Sequence, residues 1–220
     1  VVDVACGTGV VARAAARRGA RLVIGVDLLD WMVARAVERV ELERLPNVRI
    51  ARMDAARLAL PDAVAGVTLC QFGLMLMGEA VAAARELRRI TRPGGTVACA
   101  VWSTPDRVPC FAAFLDAAGE VVNGEPLSPE HAIFRLGGEG ALISLLAGAG
   151  LVDIDERRIT ESDVRASPEV YWRGMASVAG FRAGQGDQAT VTTADRLDPA
   201  TQSAIRVLTL ERVRQFQQPD

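Results

Sequence analysis

Gly7-Thr8-Gly9-Val10-Val11-Ala12 is the stretch of this sequence whose residue types and spacing best suit a ligand loop. It satisfies the pattern GxGxxG/A, in which the glycines allow a tight turn and a close backbone approach to the ligand. A helix opening just beyond such a loop presents free N–H groups to a phosphate or a carboxylate. Taken alone the loop points to a nucleotide and does not say which. Three acids sharpen the reading: Asp3 just before the loop, Asp27 about 20 residues past it, and Asp54 further on. An ionised carboxylate accepts two hydrogen bonds, so Asp27 suits the hydroxyls of a ribose, whether of NAD or of an adenosyl group. Each acid singly reads as well as a strand-end cap; together with the loop they outline a site.

Such residues need a scaffold that delivers them to one edge. Over the first hundred residues, β-branched runs alternate with Ala/Arg/Glu/Leu-rich stretches of helical period, the pattern of βα units forming a parallel sheet. Strands are predicted at 1–5, 21–26, 48–52, 64–71 and 96–102, apolar nearly throughout because helices cover both sheet faces. Asp30 reads as the N-cap of the second helix, and Arg88-Arg89-Ile90 as a helix end before the breaker Pro93-Gly94-Gly95. Beyond Trp102 the pattern predicts a helix near 111–122, a turn-rich stretch through Gly137-Gly138, a short helix and a sixth strand near 151–159. A helix at 168–178, a Gly/Gln/Thr-rich loop at 180–193 and a helix at 199–217 with proline at N1 complete it. The expected fold is α/β, a doubly wound, mostly parallel Rossmann-like sheet in a single domain, 1–220. Its core is placed at 1–102 and 139–160, with a helical and loop cap and C-terminal helical segments at 103–138 and 161–220.

Composition narrows the chemistry. The 220 residues are 50% hydrophobic and 24% charged, with a formal net charge of -2 and no block of one sign. Nucleic acid is therefore not an expected partner, and no apolar run reaches the roughly 18 residues of a membrane span. No lysine occurs, which removes Walker A loops, pyridoxal Schiff bases and the Tyr/Lys pair of short-chain dehydrogenases. Cys6, Cys70, Cys99 and Cys110 form no CxxC pair and read as buried thiols of a cytoplasmic protein. No Asp/Asn cluster for a metal is found.

Asp3 discriminates between nucleotides. A carboxylate there would face the pyrophosphate of NAD, whereas S-adenosylmethionine places an ammonium and a sulfonium in that region. Asp54 suits the adenine amino group, with Leu28, Met32 and Ala55 offering apolar contact to the adenine faces. Val1-Val2-Asp3-Val4-Ala5-Cys6-Gly7-Thr8-Gly9, Gly25-Val26-Asp27 with Met32, and Met53-Asp54-Ala55 resemble the first three motifs of the class I S-adenosylmethionine-dependent methyltransferases. The branch is that of the ubiquinone and menaquinone C-methyltransferases and many small-molecule enzymes. Cys70-Gln71-Phe72-Gly73-Leu74-Met75 is similar to the end of that family's fourth strand, and Arg92-Pro93-Gly94-Gly95 to its post-helix signature. Gly66 departs from the acid usual at the start of strand four. The resemblance covers residues 1–102 firmly and thins beyond. It implies that Asp3, Gly7 and Gly9 flank the methionine portion, that Asp27 holds the ribose and that Asp54 and Ala55 sit at the adenine, with Cys70 completing the cofactor set. It also implies that helices preceding the first strand and a last, antiparallel strand are missing from this stretch.

The implied function is methyl transfer to an O, C or N nucleophile of a small molecule, leaving S-adenosylhomocysteine. No catalytic residue is assigned. His131, the only histidine, has the ordinary pKa of a general base, but it reads equally as an exposed loop residue after Pro129-Glu130. Cys70 at a strand end has the position of the nucleophile of C5-cytosine methyltransferases, yet Leu69 replaces the proline of that motif and a buried strand cysteine is the commoner object. Phe72, Met75 and Met77 read as pocket lining or core. Two rival readings remain open: an NAD(P)-dependent oxidoreductase, opposed by Asp3 and the absent lysine, and a domain that binds cofactor or partner without turnover.

Overall fold

The structure, a computed structural model, describes residues 1–124, 133–162, 165–178 and 197–216. The chain divides into two compact units, Val1–Trp102 with Ala132–Arg157, and Ser103–His131 with Arg158–Asp220.

The first unit holds β1 (Val2–Val4), α1 (Val10–Arg17), β2 (Val23–Asp27), α2 (Asp30–Leu42), β3 (Val48–Arg52), β4 (Ala65–Gln71), α3 (Ala80–Ile90), β5 (Thr91–Ala100) and α5 (Ala141–Gly148). The strands form one sheet in the order β3-β2-β1-β4-β5, every pairing parallel. Parallel neighbours need crossovers, which α1, α2 and α3 supply, so all five carboxyl ends reach the same edge. The winding reverses between β1 and β4, and that gap is where an open α/β sheet leaves its ligand crevice. Val2, Val4 and Val26 pack with Leu74, Leu87, Ile90 and Leu146 in the larger core cluster, while Ala12, Ala16, Val23 and Val48 form a second one. Full burial of a Leu or Ile side chain contributes about 1.5–3 kcal/mol, so the Leu87 and Ile90 face of α3 is a principal anchor of the sheet.

Four sequence expectations are corrected. The Pro93-Gly94-Gly95 breaker does not separate helix from strand: Thr91 already pairs with Ala65, and the ladder resumes at Val67 with Thr96, so the breaker is a bulge inside β5. The Thr91 hydroxyl anchors that early start, 2.6 Å from both the Leu87 carbonyl and the Thr68 hydroxyl. Residues 151–160 form no strand, because no ladder partner reaches them among the described residues. Asp30 is the first residue of α2 and not its cap; Leu29 holds the cap position, and Asp30 pairs with Arg52 at 3.2 Å. The strands are also less uniformly apolar than expected: β3 and β5 are sheet edges, which leaves Arg49 and Arg52 exposed.

The second unit packs α4 (Pro109–Asn123), α6 (Pro168–Val178) and α7 (Pro199–Val213) around Phe114, Tyr171, Trp172, Met175 and Ile205. Proline opens all three helices, where its missing N–H costs nothing. Asp198 caps α7, its Oδ1 accepting from the Ala200 and Thr201 amides at 2.9 and 3.0 Å. The predicted loop at 180–193 and His131 lie outside the described residues. Among the described residues, no helix is long and apolar enough to cross a membrane.

Candidate functional site

The loop from Ala5 to Gly9 leaves β1 through three left-handed residues, Ala5 (φ 56°), Gly7 (φ 54°) and Gly9 (φ 78°). Glycine adopts this region freely, whereas alanine does so at a cost of roughly 1–2 kcal/mol. Gly9 serves packing as well, since a Cβ there would lie 3.3 Å from the Cβ of Ala36 on α2. The Gly7 position approaches the Met32 sulfur, 3.9 Å from where its Cβ would stand, which places Met32 beside the loop.

Asp27 ends β2 beside this loop. Its Oδ2 accepts the Gly7 amide at 2.8 Å and its Oδ1 the Leu29 amide at 3.0 Å, which fixes the carboxylate in place. Each oxygen keeps a lone pair for a further donor. Asp3 is buried more deeply, 1% exposed, and among the described residues neither of its oxygens accepts a hydrogen bond of ordinary geometry. Burial pushes its carboxyl up to about 7; the Ala12 amide lies near enough to offset part of that, and the charge of Asp27 adds to it. A buried carboxylate without a partner is costly, and a cationic ligand is the group that would relieve it.

Asp54 follows β3, exposed, its Oδ1 accepting the Ala56 amide at 2.9 Å. Leu28 is exposed beyond Asp27, and Ala55 packs partly against the larger core. The ends of β1, β2 and β3 thus bring Asp3, Gly7, Gly9, Asp27, Leu28, Met32, Asp54 and Ala55 to one edge of the sheet. Cys70 differs: the whole residue is 1% exposed within the core cluster, so it offers no open surface to a ligand. Burial raises its thiol to about 11, against a nucleophilic role. None of the four cysteines is in a disulfide, and only Cys6 and Cys70 are buried. Met75 is core, while Phe72 and Met77 are partly buried. Among the described residues no His/Cys/Asp/Glu group is arranged to hold a metal.

Sequence reasoning missed the strain around the switch point. Ala5 has no signature for a positive φ, and Phe72, at φ 57°, has even less. Gly73, two residues after the end of β4, is the one legible signal: a Cβ there would meet Ala5 Cβ at 2.6 Å and Cys70 Sγ at 2.9 Å. Phe72 stacks on Trp102, ring centroids 4.3 Å apart and planes within 10°.

Comparison with known proteins bears on the family and the fold. Residues 1–95 match the family described as methyltransferase domain. They resemble the core of a methyltransferase. S-adenosylmethionine is the cofactor that such a core takes, and the unpartnered Asp3 carboxylate beside the glycine loop fits its cationic end. The ubiquinone/menaquinone biosynthesis C-methyltransferase of Caulobacter vibrioides is 32% identical over 122 residues, which is 52% of this chain and 48% of that protein. The chain therefore spans about half the length of that methyltransferase relative. The demethylmenaquinone methyltransferase of Corynebacterium kroppenstedtii is 28% identical over 171 residues, 73% of this chain and 71% of the relative. The fold is also that of the YcgJ protein of Bacillus subtilis, with a TM-score of 0.52, 20% identity, and coverage of 67% of this chain and 59% of that one. The cyclase SpnF shares it over 98% of this chain and 68% of its own, with a TM-score of 0.59 at 22% identity.

Proposed function

We propose that this chain acts as a single methyltransferase domain that moves the methyl group of S-adenosylmethionine onto an O, C or N nucleophile of a small molecule. The observation that carries the reading is Asp3, a buried carboxylate with no partner under a glycine loop, beside a second carboxylate, Asp27, that keeps acceptor capacity. An oxidoreductase binding NAD would bring a pyrophosphate toward Asp3 and Asp27, where it would disfavour ionisation of Asp3 further, whereas a cationic cofactor would favour the Asp3 carboxylate.

Asp3 faces the positive methionine end, Asp27 holds the ribose hydroxyls, and Asp54 with Leu28, Met32 and Ala55 receives the adenine. When bound, the sulfonium supplies an already activated methyl, displaced in line as its bond to sulfur breaks and one to the nucleophile forms. What the protein must add is alignment and exclusion of water, and alignment alone supplies up to about 7–11 kcal/mol. A site of this kind works with few catalytic side chains, in keeping with a sequence that offers no clear base. The relatives' names make an aromatic hydroquinone the first acceptor to try. Four cysteines outside any disulfide fit the reducing cytoplasm as the place of action.

The test is titration with S-adenosylhomocysteine beside NADH, read by thermal shift and calorimetry. S-adenosylhomocysteine is expected to bind and stabilise, and Asp27→Ala to lower its affinity at least roughly tenfold, the loss of one charge-assisted hydrogen-bonding group. Stabilisation by NADH alone, or unchanged affinity in Asp27→Ala, would refute the assignment.

A further inference from the structure

The residues assigned to ribose and adenine stand at the ends of β2 and β3, which leaves the ends of β4 and β5 for the methyl acceptor. The turn after β4 forms that side, and it is held in a strained shape. Phe72 sits at φ 57°, Gly73 has no room for a side chain, and Leu74 and Met75 are both buried. Strain of this kind persists only where the surroundings over-determine it. From within, the Met75 sulfur accepts the Trp102 amide at 3.5 Å, and the Trp102 ring stacks on Phe72.

From outside comes a group distant in sequence. Nη2 of Arg135 donates to the carbonyl of Leu74 at 3.1 Å and also to that of Met77. Leu74–Leu76 is a single 3-10 turn closed by the Met77 amide on the Leu74 carbonyl at 3.3 Å, and the guanidinium adds a second donor to that carbonyl while tying it to the Met77 carbonyl at the end of the turn. We infer that Arg135 is a positioning residue: by clamping the Leu74 and Met77 carbonyls it keeps Phe72 stacked on Trp102 as the acceptor-side wall of the site. This rests on the methyl-transfer reading above. Arg135 touches neither cofactor nor acceptor in this assignment; it acts through the turn.

The Trp102 signal is defined as the near-UV circular dichroism lost in Trp102→Phe. Arg135→Ala is expected to lose that band, and Arg135→Lys to recover part of it, because an ammonium donates to carbonyls without the guanidinium geometry. With a hydroquinone acceptor, KM in Arg135→Ala rises at least roughly tenfold, while Kd for S-adenosylhomocysteine stays within about threefold of wild type. A band retained in Arg135→Ala would overturn the clamp with the function reading untouched. A band lost with KM unmoved would reduce Arg135 to a structural contact and overturn its role in the site. Wild-type protein that binds no S-adenosylhomocysteine would overturn the methyl-transfer reading itself, and the acceptor-side role with it, whatever the band does.

Discussion

Asp3 is where the residue scale makes its sharpest demand. Its folded-state value of about 7 stands above the ordinary 3.8 because burial disfavours the charge. Between those two values the folded chain holds a proton that the unfolded chain has released, so stability falls as pH rises from about 4 to about 7 and is level above. At about 1.4 kcal/mol per pH unit the contribution amounts to about 4 kcal/mol at most. Other carboxylates titrate in the same range, so the quantity to follow is the difference in urea-unfolding free energy between wild type and Asp3→Asn from pH 4 to 8. Wild type should lose ground to the variant with rising pH, and parallel curves would show that Asp3 does not hold its proton. The placement of Asp3, Asp27 and Asp54 at or near the ends of successive strands was legible from their spacing to the glycine loop. That Asp3 lacks a partner was not, because burial depends on what α1 and the neighbouring strands bring over it.

At the scale of elements, Arg89 joins the last turn of α3 to the connection between β3 and β4. Its guanidinium donates to both Glu86 oxygens at 2.7 Å, to Asp62 at 2.6 Å, and to the Leu60 and Leu58 carbonyls at 2.8 and 2.9 Å. Glu86 in turn accepts the Leu58 amide at 2.7 Å, next to a buried Leu58 side chain. The Asp62 partner is largely exposed and counts for little; the backbone carbonyls matter more. Arg89→Ala is expected to lower stability by about 1–3 kcal/mol, seen as a lower urea midpoint at unchanged slope, with Arg89→Lys recovering only part of it. A midpoint equal to wild type would mean the connection is held by its apolar contacts alone. The sequence placed α3 and its cationic end, yet read the network as a charged helix terminus, since Asp62 and the Leu58 and Leu60 carbonyls are supplied by tertiary folding. The same limit explains β5: a Pro-Gly-Gly run ordinarily breaks structure, and the Thr91 pairing that absorbs it as a bulge is visible only across strands.

At the scale of the molecule, every residue assigned to the cofactor belongs to the first unit, as do Trp31 and Trp102, while Trp172 belongs to the second. S-adenosylhomocysteine at about a hundredfold over its Kd should therefore raise the stability reported by Trp31 and Trp102 by roughly 2.7 kcal/mol. Variants lacking one tryptophan at a time, unfolded in urea, separate the probes. A shift carried by Trp172 alone would put the ligand outside the first unit.

By itself the sequence determined the α/β class, the order of the first five strands along the chain, the glycine loop and the three acids at successive strand ends. These are local in origin: apolar period, turn chemistry and short spacings are written in neighbouring residues. The helices opened by Pro168 and Pro199 were legible for the same reason. Tertiary structure alone decided which strands are edges, that residues 151–160 find no ladder among the described residues, that Cys70 is buried, and that Ala5 and Phe72 take left-handed conformations against Gly73. Those outcomes depend on groups far apart in the chain, and at the ends of β1 and β4 their close packing sets a backbone shape that no local propensity would choose.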